Sequence, residues 1–125
     1  MKHLVLSGFV WTLILTIALT TFANTPETVD EFGAIAFRDE QVRLDRLAVL
    51  LEKYPSHYAY ILRWYTNGTS LKRIHDRQSQ VIKYLTEIKH IPTKRVVFVN
   101  KFEQKERTVY YLVPPNPKSL VRNQN

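Results

Sequence analysis

Two kinds of hydrophobic spacing alternate along this chain, and their order restricts the fold more than any other feature. Residues 58–65 (YAYILRWY), 95–100 (RVVFVN) and 108–113 (TVYYLV) are dense in β-branched and aromatic side chains and hold neither Gly nor Pro. Such runs suit strands packed in a sheet. In the first of them Tyr60, Leu62 and Trp64 share one face, and Ala59, Ile61 and Arg63 the other. Before and between these runs lie stripes at helical spacing. Leu44, Leu47, Ala48 and Leu51 form one, leaving Arg43, Asp45, Arg46 and Glu52 for solvent. Leu71, Ile74, Gln78, Val81, Ile82, Leu85 and Ile88 form the other. The short apolar run 32–37 (FGAIAF) reads as an additional, first strand.

Punctuation supports the same division. Asp39 is placed to cap the first helix and Pro55 to end it. Asn67-Gly68 marks a turn, Thr69 or Ser70 can cap the second helix, and Ile91-Pro92 closes it. The polar insert Glu103–Glu106 predicts a hairpin between the last two strands, and Pro114-Pro115 stops the second of these. The predicted order is strand, helix, strand, helix, strand, strand. That makes an α/β (α+β) fold, a two-layer sandwich with two helices on a mixed four-stranded sheet.

The amino terminus is read separately. Lys2 precedes Leu4–Phe22, an uncharged stretch, and Thr21 and Ala23 form a small-residue exit before a polar run. Residues 1–23 are therefore predicted to be a secretory signal peptide. The alternative is a retained anchor, since the stretch approaches the ~20 residues that span a bilayer. The expected division is a signal at 1–23, a linker at 24–30, one domain at 31–115 and a flexible polar tail at 116–125. The expected location is exported, in the periplasm or cell envelope.

The 125 residues include no cysteine, which excludes disulfide staples, thiolate zinc sites, cysteine nucleophiles and lipoprotein attachment. An exported domain without disulfides must be held by packing. The formal charge of +7 is unevenly spread: residues 24–52 carry seven acids and three bases, residues 53–125 four acids and fourteen bases. So basic a section attracts polyanions, although the two parts can also compensate each other across the folded surface.

Catalytic and metal signals are sparse. His57, His75 and His90 lack the spacing of a helical metal site, so no metal is expected. A relay of Ser56 or Ser70 with His75 and Asp76 has no nucleophile elbow around either serine, and neighbouring positions on a helix project about 100° apart. Three glycines supply no phosphate-cradling loop. No cofactor and no enzymatic activity are expected. Tyr58, Tyr60, Trp64, Tyr65, Tyr110 and Tyr111 interleave with Arg63, Lys101 and Arg107. That mixture suits stacking on sugars or bases, but strand cores use the same residues, and nucleic acid conflicts with export.

The stretches DEFGAIAF, DEQVRLDRLAVLLEKYP, YAYILRWY, DRQSQVIKYL, IPTKRVVFVN and RTVYYLVPP, over residues 30–115, resemble the OmpA-like domain. They are more closely similar to small exported bacterial proteins related to it. The resemblance implies peptidoglycan binding in the cell envelope without catalysis. In that family an Asp after the second strand and an Arg on the second helix grip the stem peptide, and an Asn-Arg pair enters the last strand. The matching positions here are Asn67, Arg77 and Glu106-Arg107, so Asn67, Arg77 and Arg107 are the expected ligand-binding residues. Asn67 replaces the family carboxylate and offers only neutral hydrogen bonds, roughly half as strong as charged ones. Arg77 can still hold a carboxylate bidentately. The expected partner is peptidoglycan or another anionic wall component. The alternative is a protein-interaction or assembly factor with an envelope protein as partner, having kept the fold and lost the ligand. No nucleic acid is expected, and a membrane only if the amino-terminal segment stays uncleaved.

Overall fold

The structure, a computed structural model, describes residues 25–116. The predicted signal peptide and most of the predicted tail lie outside the described residues. Six long elements follow one another: β1 (Glu27–Phe32), α1 (Phe37–Lys53), β2 (Tyr58–Tyr65), α2 (Leu71–Lys83), β3 (Val96–Phe102) and β4 (Arg107–Val113). A π-helical turn (Tyr84–Ile88) extends α2, and a 3-10 turn (Thr93–Arg95) leads into β3. This is the expected β-α-β-α-β-β order with two helices on a mixed four-stranded sheet. Among the described residues no helix is long and apolar enough to cross a membrane.

The strands lie side by side in the order β1-β4-β2-β3, with β2 and β3 parallel and the other neighbours antiparallel. The predicted β3–β4 hairpin does not form. β2 separates the two strands, and the 103–106 loop crosses its end, where the Glu103 N–H donates to the Tyr65 carbonyl (2.8 Å). A polar loop between two strands is legible locally, but whether the strands pair depends on which third strand enters between them.

The first strand is also relocated. It covers Glu27–Phe32, mostly within the predicted linker, and leaves residues 33–36 as the approach to α1. Its inward residues, Asp30 and Phe32, pair in register with Tyr110 and Thr108, around a bulge between Thr28 and Asp30. A half-polar edge strand carries little hydrophobic signal, because only one face and one edge of it meet the protein.

In α1, Leu44, Leu47, Ala48 and Leu51 are buried as their spacing predicts, together with Glu40. The cap differs: Ala36 occupies it without a side-chain bond, and Asp39 stands inside the first turn, where it favours the positive end of the helix dipole. At the far end Arg95 donates to the carbonyls of Leu51 (2.8 Å), Tyr54 (2.9 Å) and His57 (2.9 Å), satisfying groups that a helix terminus leaves open. Ser70 caps α2 by accepting from the Arg73 N–H (3.2 Å). Of the predicted α2 stripe, Ile74, Val81 and Leu85 are buried, whereas Leu71 and Ile88 at its ends are exposed.

The core lies between the helices and one sheet face, where Ala59, Ile61, Tyr110 and Leu112 meet Leu44, Leu47, Leu51, Val81 and Leu85. Full burial of each large apolar side chain contributes about 1.5–3 kcal/mol. The opposite face carries Tyr60, Leu62, Trp64, Val97, Val99 and Tyr111, in register across three strands. The aromatic residues thus divide: Tyr65 and Tyr110 belong to the interior, while Tyr60 and Tyr111 meet edge to face at 6.4 Å on the other side.

Candidate functional site

One stretch of the interior is polar. Glu40 continues the buried stripe of α1 one turn toward its start, and Arg63 shares the inward face of β2 with Ala59, Ile61 and Tyr65. The fold brings the two together. One Glu40 oxygen accepts from the Arg63 guanidinium and from the Tyr110 hydroxyl, and the other accepts from Arg77 Nε at 2.7 Å. Arg77 also donates to the Ile35 carbonyl at 2.7 Å, tying α2 to the loop before α1. Glu40 is wholly buried, and the Arg77 side chain is 20% exposed. Phe37 lies under the Arg77 guanidinium and Phe98 under that of Arg63, 5.5 and 5.6 Å from the ring centres.

Burial pushes the Tyr110 phenol well above its ordinary range, and the adjacent Glu40 charge pushes it the same way. Tyr110 therefore remains a neutral donor to the carboxylate. Charge around the group is unequal: among the described residues Arg63 and Arg77 form ion pairs only with Glu40, so two guanidiniums share one carboxylate.

Arg77 connects this interior to a cleft of about 300 Å³ at the start of α2. Ser70, Lys72, Arg73, Asp76 and Gln80 line it from α2, with Tyr65, Ile35 and Glu106 completing the wall. The first turn of α2 holds no acid, so its N–H groups and their positive dipole end are offset by no carboxylate of that turn. Arg73 reaches Glu106 only at 3.5 Å, and its side chain is 62% exposed. The Tyr65 hydroxyl is buried without any protein partner, as is Nε of Arg63, two positions earlier on the same strand face.

The three residues expected to bind ligand do not meet. Arg77 lines the cleft, with its guanidinium engaged by Glu40 and Ile35. Arg107 lines a second, more open depression of about 470 Å³ with Glu31, Phe32 and Glu103, pairs with Glu31 at 3.2 Å, and stacks on Trp64 at 3.9 Å. Asn67 occupies the exposed turn between β2 and α2 and lines neither cavity. Ser70 serves as a cap, and His75 is exposed. Among the described residues no group of His, Asp or Glu could hold a metal ion. Glu40, Tyr65 and Arg73 are members of the site that motif reasoning misses. Glu40 and Arg63 do leave a signal, a charge standing on an otherwise apolar helical or strand face.

No family model matches the chain, and no curated protein is similar to it. Solved structures that match include IspF of Plasmodium falciparum in complex with CDP, at 14% identity and a TM-score of 0.38, over 63% of this chain and 56% of that one. Another is the 2C-methyl-D-erythritol 2,4-cyclodiphosphate synthase of Plasmodium vivax, at 12% identity and a TM-score of 0.37, over 58% and 52%. This chain thus spans little more than half of either.

These findings correct the resemblance drawn from the sequence. No family model supports an OmpA-like domain, and the two solved structures named above are synthases instead. Peptidoglycan binding and the assembly-factor alternative rested on that resemblance and fall with it, and the expectation of a protein without enzymatic activity, read from the sparse catalytic motifs, is set against solved structures that are enzymes. Similarity at these TM-scores carries no activity or ligand from the synthases to this chain.

Proposed function

We propose that this protein binds a small anion, one bearing a carboxylate or phosphate group, in the cleft at the start of α2. The carrying observation is the excess positive charge beneath it, where Arg63 and Arg77 share the single carboxylate of Glu40. A buried charge without an opposite partner is costly, and an anion at the cleft offsets it. The rim adds Lys72 and Arg73, set against the carboxylates of Asp76 and Glu106, and the first turn of α2, which holds no acid, adds backbone donors.

Titration of the ¹⁵N-labelled protein with inorganic phosphate and with acetate tests the reading. Saturable shifts confined to the amides of residues 65–80 are expected, weakened several-fold by the double substitution Lys72→Ala, Arg73→Ala. These two side chains are exposed, so the variant folds normally. Shifts that never saturate, or that persist undiminished in the variant, would overturn the reading.

A further inference from the structure

We propose that a second copy of this chain covers the sheet face opposite the helices, the two sheets stacking about a two-fold axis that runs along the strands between β2 and β4. The cleft at the start of α2 lies on the helix side of the sheet, so anion binding stands or falls separately.

A sheet with water on one side ordinarily turns polar side chains toward it. Here both helices pack on one face, and among the described residues no helix lies over the other. That other face is apolar nonetheless. Tyr60 stands between Val97 and Tyr111, Leu62 beside Val99, and Trp64 follows near the end of β2. Val97 is exposed and the others are half-buried. A contiguous apolar patch of this kind marks a contact surface. Four strands, the longest of eight residues, make a face of about 26 by 19 Å at ordinary strand spacings. Two such faces in contact remove on the order of 1,000 Å² from water, enough for a specific interface.

Charges at the margins favour a copy of the same chain. Glu31 of β1 and Lys101 of β3 border the patch at opposite edges of the sheet, and both are exposed. Glu31 is level with Val109 and so with Leu62, and Lys101 is level with Trp64, one step further along the same face. Within one copy two strands separate them. Among the described residues Lys101 enters no ion pair. The strand order means that a two-fold along the strands lays β1 of each copy over β3 of the other. Stacked sheets lie about 10 Å apart and one step on a face is about 7 Å, a gap that Glu and Lys side chains span together. The pairing occurs twice, as a self-complementary interface requires.

Sedimentation velocity of the full chain over a micromolar concentration series tests the assignment. A monomer–dimer equilibrium is expected, weakened at least roughly tenfold by Leu62→Lys at the centre of the face. Lys101→Glu, at an exposed site that leaves the fold intact, should weaken the dimer several-fold, and adding Glu31→Lys should restore it. Carbodiimide treatment of mixed ¹⁴N- and ¹⁵N-labelled protein should join the Glu31 carboxyl to the Lys101 amine as an amide, in peptides of mixed label. A chain that stays monomeric, a dimer indifferent to Leu62→Lys, or a charge exchange that restores nothing overturns the second copy as occupant. So does a monomer that floats with phosphatidylcholine vesicles, which would assign the face to lipid.

Discussion

Glu40 joins three other elements to α1. It ties α1 to β2 through Arg63, to α2 through Arg77 and to β4 through Tyr110. Removing the negative member of such a group leaves two buried guanidiniums without an opposite charge. Glu40→Gln should therefore lower the free energy of unfolding by about 3–5 kcal/mol, read from urea denaturation. Replacing all three charged members by apolar residues, as Glu40→Leu with Arg63→Met and Arg77→Met, should recover most of that loss, because it also removes the desolvation cost. A Glu40→Gln protein as stable as the parent would show that water reaches the group freely. The triple variant also separates stability from function, since it should fold but lose affinity for anions. At this scale the sequence was partly legible. Glu40 precedes Leu44 by one helical turn, and Arg63 alternates with Ile61 and Ala59, so both stand on inward faces. Which charge meets which was not legible, because the partners lie 23 and 37 positions apart.

At the scale of elements, the end of the second helical segment shows how side chains support irregular backbone. The π-helical turn is anchored by the Tyr84 hydroxyl, which donates to Asp45 of α1 at 2.5 Å, and by Lys89, which reaches the same oxygen at 2.8 Å. His90 then reverses the chain with a φ of 60°, a left-handed conformation that a helix end commonly requires. Hydrogen bonds first from Lys89 and then from Tyr84 hold the Asp45 carboxyl below its usual range. A carboxyl lowered in the folded state stabilises fully above its unfolded value, near pH 4, and the contribution is lost as pH falls through the folded value. Asp45→Asn should accordingly flatten the acid limb of the stability–pH profile below about pH 4, measured by thermal unfolding across a pH series. An unchanged limb would remove Asp45 from the acid sensitivity of the fold. The periodic stripe from Leu71 to Ile88 shows that a helical segment exists but conceals this widened turn. The widening depends on a partner in α1 rather than on the spacing of the stripe itself.

Across the whole molecule, the two edges of the sheet are unlike. β1 is interrupted by its bulge and carries Glu27, Asp30 and Glu31, features that discourage pairing with another chain. β3 begins with four apolar residues, Val96–Val99, and Val97 is 39% exposed. Such an edge invites association when the protein is concentrated or heated. Val97→Lys should reduce light scattering during a thermal ramp while changing stability by no more than about 0.5 kcal/mol. Undiminished scattering would place the aggregating surface elsewhere.

The sequence alone determined the number, kind and order of the main elements, because helical and strand periodicity and the caps and turns around them act over a few residues. It also placed Arg77 on the helix that borders the cleft. Only the tertiary structure decided that β2 lies between β3 and β4, that the first strand falls at Glu27–Phe32 on an edge of the sheet, and that Arg77 is bound to Glu40. Strand order and buried ion pairs join residues tens of positions apart, and their energies depend on what surrounds them once the chain has closed. The alternation that restricted the fold at the outset could say which faces turn inward. It could not say that one of those faces would bring two arginines to a single carboxylate beneath a cleft.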